Sequence, residues 1–360
     1  MRRADFSSIR AHNRLLLLRL IREHQPVRMS TLARMTGLQP STVLRLVRQL
    51  RRQRLIEGTG PVSPGGGSGR PAMQWALQGS TVASAGIHLA WNMVTGVAVN
   101  LRGDVLASSA VPLSTRARRD EEEIAAAIQK TVAAVTDRRR LGKRRLAGVG
   151  IASMGLVSRA AVRVRYFERE LDFERLVPRR LRPILVENDA NAVALGEVEH
   201  GVLAGVRNAV VLYVHAGIGA GLVVDGRLVR GKSGAAGEVS WRDCTLLPNP
   251  MRHPAPEVFE EVARGVCALI NLLNPEVCLL AGNVHELREA LLPRIDVALR
   301  RWTNPVARDV RIEATTCDPM RVAVHMATAV LDERVFQHHQ AERTPGEDRL
   351  EVARTLPLET

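Results

Sequence analysis

Between Asn13 and Glu23, Leu15, Leu16, Leu18 and Leu20 recur among arginines, a spacing that predicts an amphipathic helix. In the following MSTLARMTGL, Ser30 can cap a short helix that turns Leu32, Ala33 and Met35 inward. Gly37 then supplies a turn, and Pro40 opens the next helix at its first position. Along PSTVLRLVRQLRR the helical period sends Val43, Leu46, Val47 and Leu50 to the core side. It leaves Ser41, Thr42, Arg45, Arg48 and Arg52 on the outer face, with Leu44 near the border. Helix, tight turn and second helix make a helix-turn-helix. The stretch LIEGTGPVSPGGGSGRPAMQWAL then has two strand-like ends, Leu55 to Glu57 and Met73 to Leu77, around a loop rich in Gly, Pro and Ser. It reads as a wing with Arg70 near its tip, placed to reach a minor groove; a flexible linker is the plainer alternative.

Beyond Thr81 the period changes. Val82 to Leu89, Val94 to Leu101 and Val105 to Leu113 are successive strand candidates, with turns at Trp91-Asn92 and Arg102-Gly103-Asp104. A polar, Ala-rich helix from about Asp120 to Arg138 follows. Strands at Leu146 to Ser153 and Ile184 to Glu187 lead to a helix at Ala190 to Leu203. A second set begins with strands at Ala209 to Val214, Gly221 to Val224 and Arg227 to Leu228 and a helix at Pro256 to Leu273. It continues through a strand at Val277 to Leu280, a helix at Val284 to Arg301, a strand at Val310 to Ala314 and a helix at Arg321 to Val335. The order of three strands and then a helix thus occurs twice, which predicts an α/β body of two lobes with mixed sheets facing each other across a cleft.

Charge sharpens this division. Residues 1–76 hold 14 of the basic residues and only 3 acids, so +11 of the chain's +14 lies in the first fifth of its 360 residues. Positive charge gathered on one small module is the electrostatic footprint of a duplex DNA reader. The boundary is expected near residue 79, with a body over 80–335 and a loose tail over 336–360. The four cysteines, Cys244, Cys267, Cys278 and Cys317, form no CxxC or CxC pair, which predicts reduced thiols and no structural zinc site. No long uncharged apolar run and no apolar leader ahead of a cleavage site occur, so a cytosolic protein is expected.

Within the helix-turn-helix, N-terminal side chains of the second helix meet base edges while later basic groups grip phosphates. Ser41, Thr42 and Arg45 are therefore the base-reading candidates and Arg48 a backbone contact. In the body, LVENDANAVALGE ends a strand in Glu187 and places Asn188 and Asp189 at a strand-to-helix junction, where side chains project into the cleft at the carboxyl edge of a sheet. An Asn beside an Asp offers donors and acceptors suited to sugar hydroxyls, and the carboxylate could act as a general base. A helix cap by Asp189 is the plain alternative. Glycines at 217, 219 and 221 look like a phosphate cradle, but the segment runs from strand to strand, against a dinucleotide fingerprint. Glu238, after the turn GAAGE, would be a second cleft acid.

These pieces in this order resemble the ROK family, named for repressor, open reading frame and kinase. The resemblance runs over about residues 8–335: HNR, LARMTGLQPSTV and GSGRPA in the head, then ENDANAVALGE, GIGAGLVVDGRLVRG and GAAGE in the body. It implies a winged helix-turn-helix followed by a two-lobed, actin-like sugar kinase (ATPase) fold, and a transcriptional regulator sensing a sugar or sugar derivative. By the same resemblance Asn188, Asp189, Glu238 and Glu260 match sugar-contacting residues. The chain departs from the pattern where kinases bind ATP. The family's Asp, Gly-Gly-Thr stretch reads IHLAWN, with His88 for the acid and Ala90, Trp91 and Asn92 for the rest; a later Gly-Gly reads Ala281-Gly282-Asn283, and an expected Thr is Ala216. Without those groups phosphoryl transfer loses its positioning and charge stabilisation. A His three residues after Glu238 is replaced by Trp241, which could stack on a sugar ring or fill the vacated space. The cysteine-rich zinc loop is absent, and VRYFERELDF replaces a segment that presents an Asn to the sugar. The expectation is a repressor without catalytic residues, metal or cofactor, working as a homodimer or dimer of dimers on a palindromic operator and released by a sugar-like effector. A constitutive DNA-binding protein and a sugar kinase are the alternatives.

Overall fold

In the computed structural model, residues 6–62, 72–114, 120–166, 169–214, 218–238, 256–282 and 284–336 are described. The chain divides into two units, Met1–Leu77 with Asp332–Thr360, and Gln78–Leu331.

The first unit is built on three helices, α1 (Phe6–His24), α2 (Met29–Thr36) and α3 (Pro40–Arg52). Its small sheet pairs β1 (Val27–Arg28), β3 (Ala72–Leu77) and β2 (Ile56–Val62), in that order. β2 and β3 run antiparallel, as a wing requires. α1 buries Leu15, Leu17, Leu18 and Ile21, while Leu16 and Leu20 stay only half buried. The expected stripe was therefore rotated: spacings of three and four put Leu17 and Ile21 on the same side as Leu18. α2 buries Leu32, but Met35 is 42% exposed, and Ser30 lies inside the helix, whose cap position is Arg28 without a side-chain bond. The chain enters α2 straight from β1, so the helix starts before Ser30, with Arg28 rather than the serine at the cap. The last described turn, Asp332–Phe336, also belongs to this unit. Asp332 pairs with Arg22 of α1, and the Arg22 guanidinium lies 4.5 Å over the Phe336 ring.

The second unit carries two five-stranded sheets of the same topology. In the first, β4 (Val82–Leu89), β5 (Met93–Asn100) and β6 (Val105–Pro112) form an antiparallel meander, and β7 (Arg145–Ser153) and β11 (Ile184–Asn188) add parallel to β4. In the second, β12 (Ala209–Val214), β13 (Ile218–Val224) and β14 (Arg227–Val229) make the meander, and β15 (Val277–Gly282) and β16 (Arg311–Thr316) add parallel to β12. The doubling read from the sequence is thus a doubling of fold. The central strands are buried throughout, β4 and β12 at every position, because helices cover the sheets.

α4 (Glu121–Val135) covers the first sheet and α8 (Pro256–Leu273) and α9 (Val284–Trp302) the second. The remaining two helices, α7 (Asp189–His200) and α10 (Pro319–Leu331), pack between the sheets, each against the one that it does not follow in sequence. The approach is close. A Cβ on Gly86 of β4 would lie 1.8 Å from the Ala323 carbonyl oxygen of α10, and one on Gly221 of β13 would lie 2.6 Å from Ala194 Cβ of α7. Only glycine permits helix and strand backbones to come that near. The single turn α5 (Arg138–Leu141) precedes β7, and between β7 and β11 lies a small antiparallel sheet absent from the sequence expectation, β8 (Leu156–Ser158), β9 (Arg163–Tyr166) and β10 (Arg169–Asp172), followed by the single turn α6 (Phe173–Leu176).

Candidate functional site: a basic helix and a polar cleft

The two groups of site residues lie in different units. In the first unit, Gly37 has φ +67°, the left-handed conformation that lets α2 stop and the chain turn sharply. Pro40 then occupies the first turn of α3, where its missing N–H costs nothing. The buried face of α3 is Val43, Leu46, Val47 and Leu50, the four positions that its period singled out. Ser41, Arg45 and Arg48 are exposed and Thr42 is half buried, so the proposed readers share the outer face. Arg51 reaches back instead, its guanidinium 6.0 Å from the Trp75 ring of β3. Arg70 and the wing tip fall outside the described residues.

In the second unit the candidate sugar-contacting residues Asn188, Asp189 and Glu238 gather where β11 ends. Asn188 caps α7: its Oδ1 accepts the N–H groups of Ala190 at 2.9 Å and Asn191 at 3.3 Å. The cap is therefore Asn188 and not Asp189, because the strand runs one residue further than expected and helix dihedrals begin at 189. Asn188 Nδ2 points the other way and donates to Glu238 Oε1 at 3.2 Å and to the Gly155 carbonyl at 3.3 Å. Asp189 Oδ2 stands 4.0 Å from Nε2 of the buried His88 on β4, and the His88 ring meets Tyr213 of β12 edge to face at 6.3 Å. Asn188, Asp189 and Glu238 thus form one polar group fed by both sheets. Partial burial of the Glu238 carboxyl, and then the charge of Asp189, raise its pKa above the ordinary carboxylate range. Burial and then Asp189 also hold the Tyr213 hydroxyl well above its ordinary value, so it stays protonated.

Glu260 is exposed on α8, and among the described residues no hydrogen bond or ion pair joins it to that group. Trp241 lies outside the described residues. Two further residues matter that sequence reasoning passed over. Glu187 is buried and accepts from Asn188 N and Asn191 Nδ2, both at 3.2 Å, and from Arg230 Nε at 2.8 Å, with Arg159 Nε 3.9 Å away. Its carboxylate therefore fixes the backbone that presents Asn188. The pairing of Glu187 with Asn191, four residues on, was visible in ENDAN as a spacing. Tyr166, in the rewritten VRYFERELDF segment, donates its hydroxyl to the Ala90 carbonyl at 3.0 Å, tying down the altered IHLAWN stretch.

This arrangement gathers two carboxylates and a carboxamide, side chains suited to a polyhydroxylated ligand. Residues 85–241 match the model of the ROK family, and residues 13–60 match the IclR helix-turn-helix domain. The xylose repressor of Bacillus spizizenii is 27% identical over 240 residues, a match spanning 66% of this chain and 61% of the repressor's length. The DNA-binding transcriptional dual regulator NagC of Escherichia coli is 24% identical over 343 residues, covering 79% of this chain and 83% of NagC. Among solved structures, a ROK family transcriptional regulator homologous to the E. coli MLC protein superposes with a TM-score of 0.71 at 20% identity, over 92% of this chain and 99% of that one. A ROK family glucokinase from Streptomyces griseus, in complex with glucose and AMPPNP, gives 0.54 at 20% identity, over 69% of this chain and 98% of the kinase. The fold is thus shared with regulators over nearly the whole chain and with kinases over the body.

Proposed function

Given that the chain carries a ROK family domain behind an IclR-type helix-turn-helix domain, we propose that it is a transcriptional repressor released from DNA by a sugar or sugar derivative. The observation that carries this reading is the pairing, in one chain, of an exposed arginine face on α3 with a cleft group of Asn188, Asp189 and Glu238. Two such heads in a homodimer would read a palindromic operator with half-sites spaced by helical repeats. Relatives named for xylose and N-acetylglucosamine repression support a sugar effector.

Phosphoryl transfer is disfavoured by the chain's own side chains. A buried imidazole, His88, stands where the resemblance calls for a phosphate-handling acid. Effector binding then needs only to favour a conformation that fits the operator less well, and a coupling of about 1–3 kcal/mol suffices for a 5- to 150-fold change in affinity. Titrating sugars against the full-length protein on a promoter fragment tests the reading. Asp189→Ala is expected to keep operator affinity and to lose the effector response; a variant that responds as the wild type does would overturn the cleft assignment.

A further inference from the structure

Side chains from two distant stretches of the chain meet inside the second unit. Glu197 comes from the last turns of α7, Cys317 from the segment just after β16, and His325 from the middle of α10. Glu197 and Cys317 are fully buried and His325 is 8% exposed. One oxygen, sulfur or nitrogen atom from each lies within 4.8 Å of the others, and His325 Nε2 is 3.9 Å from Glu197 Oε1.

The polar atoms there are poorly served by the protein itself. Glu197 Oε2 accepts the Val202 N–H at 3.1 Å, but Oε1 has no hydrogen-bond partner among the described residues, and neither has His325 Nδ1. Arg321 Nη2 stands 2.7 Å from Oε1, close enough for charge attraction yet not aligned as a hydrogen bond. Buried polar atoms without partners are rare in folded proteins, and each calls for a cause. The His325 ring is also held tightly: a Cβ on Gly196 would lie 2.1 Å from its Cγ, so the imidazole rests directly on the α7 backbone.

We propose that Glu197, Cys317 and His325 bind a divalent cation of the zinc class, which pins α7 to α10. One nitrogen, one sulfur and one oxygen ligand suit zinc rather than calcium or magnesium, which favour all-oxygen sites. On binding, the Cys317 S–H loses its proton to water and a metal–sulfur bond forms. The carboxylate and thiolate then balance the two charges of the ion. Glu197 Oε1 exchanges Arg321 for the metal, and the Arg321 side chain, 39% exposed, turns to solvent. The ligand atoms draw together by roughly 1 Å to reach zinc bond lengths. Because α7 begins at Asp189, the ion would fix the far end of the helix that presents the cleft residues.

The test uses full-length protein stripped with a chelator and titrated with Co²⁺ and with Zn²⁺. Expected are a thiolate-to-cobalt charge-transfer band saturating at one ion per chain, and a rise in Tm with zinc. Cys317→Ser should abolish the band and Cys244→Ser keep it, while Arg321→Gln, by releasing Glu197, should tighten zinc binding several-fold. A wild-type protein with no cobalt–thiolate band overturns the proposal, as does a band that survives Cys317→Ser. An Arg321→Gln variant with weaker zinc binding also counts against it, since that would make Arg321 part of the site rather than its competitor.

Discussion

Asp189 acts on its surroundings chiefly through charge. Its carboxylate faces His88 and raises both Glu238 and Tyr213. Asp189→Asn should therefore bring the Glu238 pKa down towards the ordinary carboxylate value, read by NMR titration of the Glu238 side chain. The sign for stability follows: a raised acid penalises the native state above its folded pKa, and that penalty is gone once pH falls below the unfolded value. On α3, the helix proposed to read DNA, the residues divide by position. Arg45→Ala should relax base preference at one operator position, by about 1–3 kcal/mol of discrimination, whereas Arg48→Ala should weaken binding to all sequences and lower the salt slope by about one. Binding isotherms on matched and scrambled operators at several salt concentrations separate the two. The core face of α3 was legible because Val43, Leu46, Val47 and Leu50 follow the helical period without interruption. Asn188 was harder to place, because which of two adjacent polar residues caps a helix depends on where the strand's hydrogen bonds end. Glu187 was harder still: its partners Arg159 and Arg230 come from other strands and loops, and no local spacing announces them.

Among the elements, α7 and α10 are decisive. Each crosses to the opposite sheet, and glycines make the crossing possible. Gly86→Ala would drive a methyl group into the Ala323 carbonyl, which belongs to helix backbone and cannot rotate away. Destabilisation by about 3 kcal/mol or more is expected, measured by urea unfolding of the full chain. The doubled order of strands and helices was readable from apolar runs alone, yet the exchange of helices between sheets was not, since periodicity reports which face is buried and not against what. The β8–β9–β10 sheet escaped notice for a different reason. Its strands have three or four residues, too few to establish a period, although Val164 and Tyr166 do alternate with the exposed Arg163 and Arg165.

At the scale of the molecule, the first unit ends after Leu77 and takes in Asp332–Phe336 as well. No local spacing announces that return: Asp332 pairs with Arg22, 310 positions away, and the same guanidinium lies over the Phe336 ring. Arg22→Ala would leave Asp332, mostly buried, without the guanidinium that offsets its charge. A loss of about 2 kcal/mol is expected, less than for a fully buried pair because both side chains keep some contact with water. Thermal unfolding checks this, and the double variant Arg22→Ala, Asp332→Ala should lose less than the sum of the two single changes.

During synthesis the basic module emerges ahead of one of its own pieces. Phe336 and Asp332 leave the ribosome only after both five-stranded sheets have been made. A nascent or prematurely terminated chain therefore carries α1 without the carboxylate and the ring that Arg22 engages in the finished protein.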